Sequence, residues 1–298
     1  MKVLLMAAHG NNGRLLLPRF AAAGFDVRAV RATHGRDDEL KALGASDVMV
    51  GDAADRGFLR EAVSGVDTIY HIGATANPLE REMGFAMVDC AREADIGHFV
   101  YSSVLHPIAE KMVQHKLKRE VEEHLLEANI PYTVLQPADY MLPHVFAGAF
   151  QTGIWENLYS LDRGQAMVAL EDVADVATKV IAEREAHFGA TYQLCAPGNH
   201  SARDLAAVVT RVTGQQIEPV RVTPDAYFER FYGVGQGERF RYQLGMIRSV
   251  ALWYDQYEFA GNSNVLRWLL GREPKTLDAY VLEQWDAYRA NAPTELQA

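Results

Sequence analysis

Through its first half this chain alternates two kinds of segment, and that alternation limits the possible folds more than any other feature. Short apolar runs at 2–8, 26–30, 46–52, 66–73, 98–103 and 131–137 have the length and composition of strands. Between them, the segments from 11 onward and at 37–44, 55–65, 81–97 and 114–130 carry apolar residues at helical spacing. Gly44 and Gly65 stand where two of these helices should stop. Parallel strands need a long crossover, and a helix is the usual one. Repeated strand–helix units with short connections therefore predict an α/β fold, a doubly wound parallel sheet with helices on both faces.

The second half is less regular. Residues 165–183 read as a strand, an acidic start and a helix; 191–195 as a strand; 201–214 as a helix; 217–222 as a short strand. From about 223 onward the pattern is helical and rich in aromatics: Tyr227, Phe228, Phe231, Tyr232, Phe240, Tyr242, Trp253, Tyr254, Tyr257 and Phe259. Such a cluster either packs a core or walls a pocket for an apolar or aromatic ligand. The expected organisation is a nucleotide-binding domain over 1–150, to which 165–185 and 191–195 return. A smaller, mostly helical substrate-binding portion takes 151–164 and 196–298.

Composition excludes several classes of function. A net charge of -10 argues against a general nucleic-acid binder. No apolar run approaches the ~18 residues that span a membrane, and with a first strand expected from residue 2 no leader is expected. Cys90 and Cys195 have no metal-ligand spacing, so no metal is expected and a cytoplasmic protein with two buried free thiols is the simplest reading, the alternative being that the two pair.

The turn after the first apolar run, "AAHGNNGR", holds Ala7, Gly10 and Gly13 at intervals of three, with Asn11 and Asn12 between and Arg14 behind. A strand, a glycine turn and a helix N-terminus together admit a pyrophosphate, because the backbone can come close and free N–H groups point at the anion. The same residues also fit a plain strand–turn–helix. Pro18 falls inside the helical pattern, so an irregular first turn or a later helix start is expected. Where dinucleotide folds carry an acidic residue for the ribose hydroxyl, this chain has Arg31, with Arg14 and Arg36 near it. Guanidinium groups there suit a 2′-phosphate, hence NADP(H) rather than NAD(H); the alternative is solvated surface arginines. Asp52, followed by Ala53, could meet an adenine amino group or cap a helix, although Asp55 could also supply the cap. Ile72, Gly73 and Ala74, after the fourth strand, would let a ligand cross the strand ends.

Taken in order, "AAHGNNGR", "VRAVR", "GDAAD", "YSSV", "HKLKREVEEHL", "PYTVLQPADYM" and "LEDVADVA" resemble the NmrA-like branch of the atypical short-chain dehydrogenases/reductases, over about residues 1–220. The family's turn is usually GxxGxxG; here Ala7 replaces the first glycine, which is tolerable if Ala7 keeps φ below zero. The resemblance implies a Rossmann-like NADP(H) domain with a smaller C-terminal portion over the nicotinamide. It also implies either a reductase of small quinones and phenolics or a cofactor-binding redox sensor. Pro137, Ala138 and Tyr140 fall where such a protein would meet the cofactor, Tyr140 either facing the nicotinamide or packing.

Ordinary short-chain dehydrogenases place a tyrosine four residues before a lysine as proton donor. Here Pro107, Met112 and Gln114 precede Lys111, Lys116 and Lys118 by four, so that pair is missing. Lys118 is the first candidate for holding the nicotinamide ribose or moving a proton; its alternative is a solvated helix lysine paired with Glu122 at i+4. His115 is the second candidate, with His106 nearby, and Ser103, with Ser102, could contact a substrate carbonyl or satisfy strand-end backbone. The carboxylates Glu171, Asp172 and Asp175 of "LEDVADVA" suit the start of a helix better than catalysis. The expected function is NADP(H)-dependent reduction of a small carbonyl, quinone or phenolic compound. The alternatives are a non-catalytic sensor or a redox-neutral lyase or isomerase. A homodimer is compatible with any of these.

Overall fold

The computed structural model describes residues 1–35, 37–232 and 237–291, apart from the side chains of Phe231 and Tyr232. Arg36 and those two aromatic side chains thus lie outside the described residues. The chain runs β1 (Lys2–Leu5), α1 (Asn11–Ala22), β2 (Asp26–Arg31), α2 (Asp37–Ala42), β3 (Ala45–Val50), α3 (Arg56–Val63), β4 (Thr68–Ile72), α4 (Glu80–Glu93), β5 (His98–Ser102), α5 (Val113–Glu127) and β6 (Tyr132–Pro137). It continues through β7 (Asp139–Met141), α6 (Pro143–Thr152), β8 (Ile154–Asn157), β9 (Gln165–Ala169), α7 (Leu170–Glu183), β10 (Ala190–Leu194), β11 (Asn199–His200), α8 (Ala202–Thr213) and β12 (Glu218–Arg221). Four helices follow: α9 (Pro224–Tyr232), α10 (Glu238–Gln256), α11 (Asn264–Leu270) and α12 (Leu277–Asn291).

Two compact units form, one from Met1–Pro137 with Val173–Gln193, the other from Ala138–Asp172 with Leu194–Ala298. The first is built on a seven-stranded sheet in the order β10-β6-β5-β4-β1-β2-β3, the doubly wound α/β arrangement the alternation predicts. From β3 across to β6 every neighbouring pair is parallel. β5 is buried along its whole length and β1 along all but its first residue, which explains their unbroken apolar runs. Helices α3, α4 and α5 place Leu59, Met87 and Leu125 on this sheet against Ile69, Phe99 and Val134, in one continuous cluster. α1 buries Leu16, Leu17 and Phe20 at helical spacing.

The second unit holds a three-stranded sheet, β11-β9-β7, and a parallel pair, β12-β8. Its core gathers Phe146, Trp155, Tyr280 and the apolar face of α8. Phe146 meets Trp155 at 5.2 Å and Tyr280 at 5.3 Å between ring centroids. α8 is fixed at both ends: Ser201 and Asp204 form a capping box, and Gly214 ends the helix in the left-handed conformation.

Candidate functional site

β1 and β4 are neighbours, but the chain leaves β1 toward β2 and β3 on one side and leaves β4 toward β5 and β6 on the other. That reversal opens a crevice at the carboxyl ends of the strands, where open α/β sheets bind ligands. The carboxyl ends of β1 to β5 and the segments that follow them carry the predicted residues: Ala7 to Arg14 in the turn after β1 and the first turn of α1, Arg31 at the end of β2, Asp52 with Ala53 after β3, Ile72 to Ala74 at and after the end of β4, and Ser103 after β5.

The turn after β1 differs from expectation in three respects. The strand stops at Leu5 rather than at residue 8. Ala7 adopts φ 53, the left-handed conformation, so the condition of a negative φ is not met. The helix starts directly at Asn11 and runs unbroken past the exposed Pro18, instead of starting late. Two hydrogen bonds pin the turn: Met6 N–H donates to Tyr70 of β4 (3.1 Å) and Ala8 N–H to Val30 of β2 (3.0 Å). Gly10 is the N-cap of α1 and supplies no side-chain cap, whereas Asp55 caps α3 and Ser201 caps α8. First-turn N–H groups have no acceptor within their own helix, so this end of α1 suits an anion.

The two glycines have separate jobs. A Cβ on Gly13 would lie 2.4 Å from the Ala8 carbonyl oxygen and 2.5 Å from two further backbone atoms of Ala8. Gly13 therefore lets α1 pack against the turn, and folding stability depends on it. A Cβ on Gly10 would meet only the Ala7 oxygen, at 3.4 Å, so folding leaves that position free for a ligand's approach. Asn11 is exposed and Asn12 half-buried.

Arg31 is not a solvated arginine. It is 5% exposed, its guanidinium donates to Asp37 at 3.3 Å, and its Nε is buried without a hydrogen-bond partner. Arg14 is far more open and pairs with Glu39. A phosphate reaching Arg31 and Arg14 would share them with these two carboxylates of α2. Asp52 accepts from Ala54 N–H (2.9 Å), while Asp55 supplies the cap of α3 through Gly57 N–H (2.8 Å). Ala53 is half-buried beside them.

At the ends of β4 and β5 lies a buried polar cluster. Lys118 of α5 is 6% exposed and its ammonium lies 2.6 Å from Glu80 of α4, which is 1% exposed. The solvated-lysine alternative is thereby excluded, and the partner is Glu80 rather than Glu122. Gly73 backs onto this pair: a Cβ there would lie 2.7 Å from Glu80 Oε1 and 3.2 Å from Lys118 Nζ. Register places His71 beside Tyr101, with their rings stacked at 5.7 Å. Burial, then the Lys118 charge, push His71 down to about 3. Burial, then Glu80 and Glu122, hold the Tyr101 phenol well above its usual range. Glu80 Oε2, His71 Nδ1 and Tyr101 Oη are all buried without a hydrogen-bond partner. Three such atoms around one buried ion pair make this cluster a candidate site. Glu122 accepts from Gln136 through both oxygens (3.0 and 3.1 Å), and burial raises its pKa.

His115 is buried with Nδ1 3.1 Å from the His106 carbonyl, and burial pushes its pKa down to about 4. It is therefore neutral at physiological pH, with its proton on Nδ1 and donated to that carbonyl. This makes it a poor acid.

Within the first unit Pro137 ends β6 and its carbonyl accepts from Leu105 N–H (2.8 Å). Within the second, Ala138 is buried, Tyr140 is half-buried on β7, and Asp139 accepts from Tyr254 (3.3 Å). Several aromatics of the C-terminal segment pair with one another: Phe228 with Phe240, Trp253 with Tyr257, Tyr254 with Phe259. Tyr227 lines an open groove of about 280 Å³ with Trp155, Arg230 and His144. The carboxylates of "LEDVADVA" are structural. Asp172 accepts from Lys275 N–H (2.7 Å) and Asp175 pairs with Arg19 (2.8 Å). Cys90 and Cys195 are free and buried. Among the described residues no group of side chains could hold a metal ion, and no helix is long and apolar enough to cross a membrane.

Sequence reasoning missed Glu80. "LERE" offers two glutamates two residues apart, and only tertiary burial tells them apart: Glu82 pairs with Arg81 at the surface.

The (4-alkanoyl-5-oxo-2,5-dihydrofuran-3-yl)methyl phosphate reductase of Streptomyces griseus is 28% identical over 232 residues, 75% of this chain and 78% of that protein. The NADPH-dependent quinone oxidoreductase of Escherichia coli, solved in complex with NADPH, shares the fold with a TM-score of 0.77 at 21% identity, over 94% of this chain and 99% of that one. NmrA, a negative transcriptional regulator solved in complex with NAD, matches with a TM-score of 0.74 at 18% identity, over 97% of each chain. The model of the NmrA-like family matches residues 1–281. With the Rossmann-like sheet, the uncapped glycine turn and a match that spans nearly the whole chain, this protein belongs to the NmrA-like family.

Proposed function

We propose that the chain binds NADP(H) at the β1–β4 crevice and reduces a small carbonyl, quinone or phenolic compound. The observation that carries this reading is the buried Lys118, held at the ends of β4 and β5 with three unpartnered polar atoms in the same cluster. The open face of Gly10 and the uncapped start of α1 would take the diphosphate. Arg31, with its unpartnered Nε, and Arg14 would take the 2′-phosphate. The bound nicotinamide would supply hydride. The Lys118 ammonium has three donors, of which Glu80 engages one. The others can hold a ribose hydroxyl or give a proton to the substrate oxygen. His115, neutral and tied to a backbone carbonyl, is the weaker candidate, and the Ser103 hydroxyl can offer hydrogen bonds but is no proton source of its own.

The test is NADPH oxidation by the purified protein across quinones, enones and aryl ketones. Lys118→Met should lower turnover by about 10²–10⁴-fold, the usual contribution of general acid catalysis. A protein that binds NADPH tightly yet oxidises it with no member of that panel is a sensor or a redox-neutral enzyme, and the reductase reading fails.

A further inference from the structure

Lys118 has two carboxylates to choose from. Glu122 lies one turn along its own helix, the usual partner of a surface lysine. Glu80 lies on α4 and has to be brought in through the fold. The structure gives the ammonium to Glu80, at 2.6 Å, and occupies Glu122 with the Gln136 amide. Three features support that choice. Glu80 stands in the first turn of α4, where the helix dipole favours a negative charge. Its own N–H donates to Asn77 (3.0 Å), and Asn77 also accepts from Leu79 N–H (2.9 Å), so the β4–α4 turn is fixed just before it. Gly73 leaves the space, since a methyl there would press on both partners.

We infer that Glu80 is the positioning residue of this site: it fixes the Lys118 ammonium at the ends of β4 and β5, and Gly73 is small so that the pair can form. This rests on the role given to Lys118 above. Of the other groups around the ammonium, His71 from β4 and His115 from α5 are neutral, and the Tyr101 phenol from β5 is held protonated. Glu122 also acts on Lys118 through its charge, but its oxygens are engaged by the Gln136 amide. Burial disfavours a lone ammonium, so Glu80 supplies the counter-charge. It touches neither substrate nor cofactor in this role and acts through Lys118.

The experiment separates placement of the ammonium from folding. In NADPH-dependent turnover at fixed pH, Glu80→Gln should lower kcat at least about tenfold while KM for the substrate changes less, and Glu80→Asp, which keeps the carboxylate, should recover most of that loss. In protein labelled with ¹³C at the lysine ε-carbon, the Lys118 signal, assigned from Lys118→Met, should move in Glu80→Gln and return toward its wild-type position in Glu80→Asp. If Glu80→Gln does not fold, Gly73→Ala makes the same test by pressing on the carboxylate. An unmoved Lys118 signal or an unchanged kcat in the folded variant makes the pair purely structural and overturns the inference. Intact NADPH binding and turnover in Lys118→Met would instead overturn the function proposed for Lys118, whatever Glu80 does.

Discussion

Replacing Gly13 by alanine should cost folding stability, whereas replacing Gly10 should cost cofactor affinity. The new Cβ at Gly13 would sit 2.4–2.5 Å from three backbone atoms of Ala8. Forcing extra volume into a packed position usually costs about 1–3 kcal/mol. Here the obstacle is main chain, and that main chain is pinned to β2 through Ala8 N–H, so it cannot swing aside as a flexible side chain would. The expected loss for Gly13→Ala is therefore at the upper end, about 3 kcal/mol. A domain of ordinary stability, about 5–15 kcal/mol, survives that change but shows it clearly. Gly10→Ala meets only the Ala7 oxygen at 3.4 Å. Its folding cost is the difference between a glycine and an alanine N-cap, about 1 kcal/mol. Its methyl would stand where the diphosphate approaches, and NADPH affinity should fall at least about tenfold. Urea unfolding followed by circular dichroism, and NADPH titration followed by fluorescence, read the two effects separately. Gly13→Ala as stable as wild type, or Gly10→Ala with unchanged NADPH affinity, would refute the division of labour.

Ala7→Gly should stabilise the protein by about 0.5–1 kcal/mol, as relief of left-handed strain outweighs the added freedom of the unfolded chain; urea midpoints give the answer. Arg31→Ala should weaken NADPH about 10–100-fold, the loss of charged hydrogen bonds worth about 1.5–3 kcal/mol, while NADH changes little; calorimetric titration of both cofactors checks it. His71, His98 and His115 all titrate lower folded than the usual 6.5, at about 3, 4 and 4. Their folded forms bind fewer protons, so stability present above about pH 6.5 should fall on acidification toward pH 4, by about 1.4 kcal/mol per pH unit for each histidine. Urea unfolding at a series of pH values should show a shallower slope in His71→Gln, and an unchanged slope would refute the assignment. Asp139, pushed up to about 6 by burial, runs the other way: its contribution is full below about pH 4 and lost as pH rises through 6, so Asp139→Asn should gain stability at pH 8 relative to pH 5.

The sheet was readable because period and length alone separate its strands from its helices. The runs that became β2, β4, β5 and β6 lie within two residues of their expected bounds. β1 was overextended because Met6, Ala7 and Ala8 are apolar; no local signal says that Ala7 turns left-handed there. The short β7, β8 and β11 carry too few residues to show a period. The glycine turn marked the crevice, yet spacing alone could not assign packing to Gly13 and access to Gly10, since that depends on how closely α1 approaches Ala8. Lys118 was visible as a candidate, but its burial and its bond to Glu80 are tertiary facts created by the packing of α4 beside α5. His115 looked like a proton carrier from its residue type; only the His106 carbonyl and the surrounding burial show that it is held neutral.

The most direct measurement is the titration of wild-type protein with NADPH and with NADH under the same conditions. If the crevice and its two arginines serve as proposed, both bind and NADPH binds tighter by about 10–100-fold, the contribution of one charged phosphate contact at Arg31. No binding of either cofactor, or NADH bound as tightly as NADPH, would contradict the roles given to Gly10, Arg14 and Arg31.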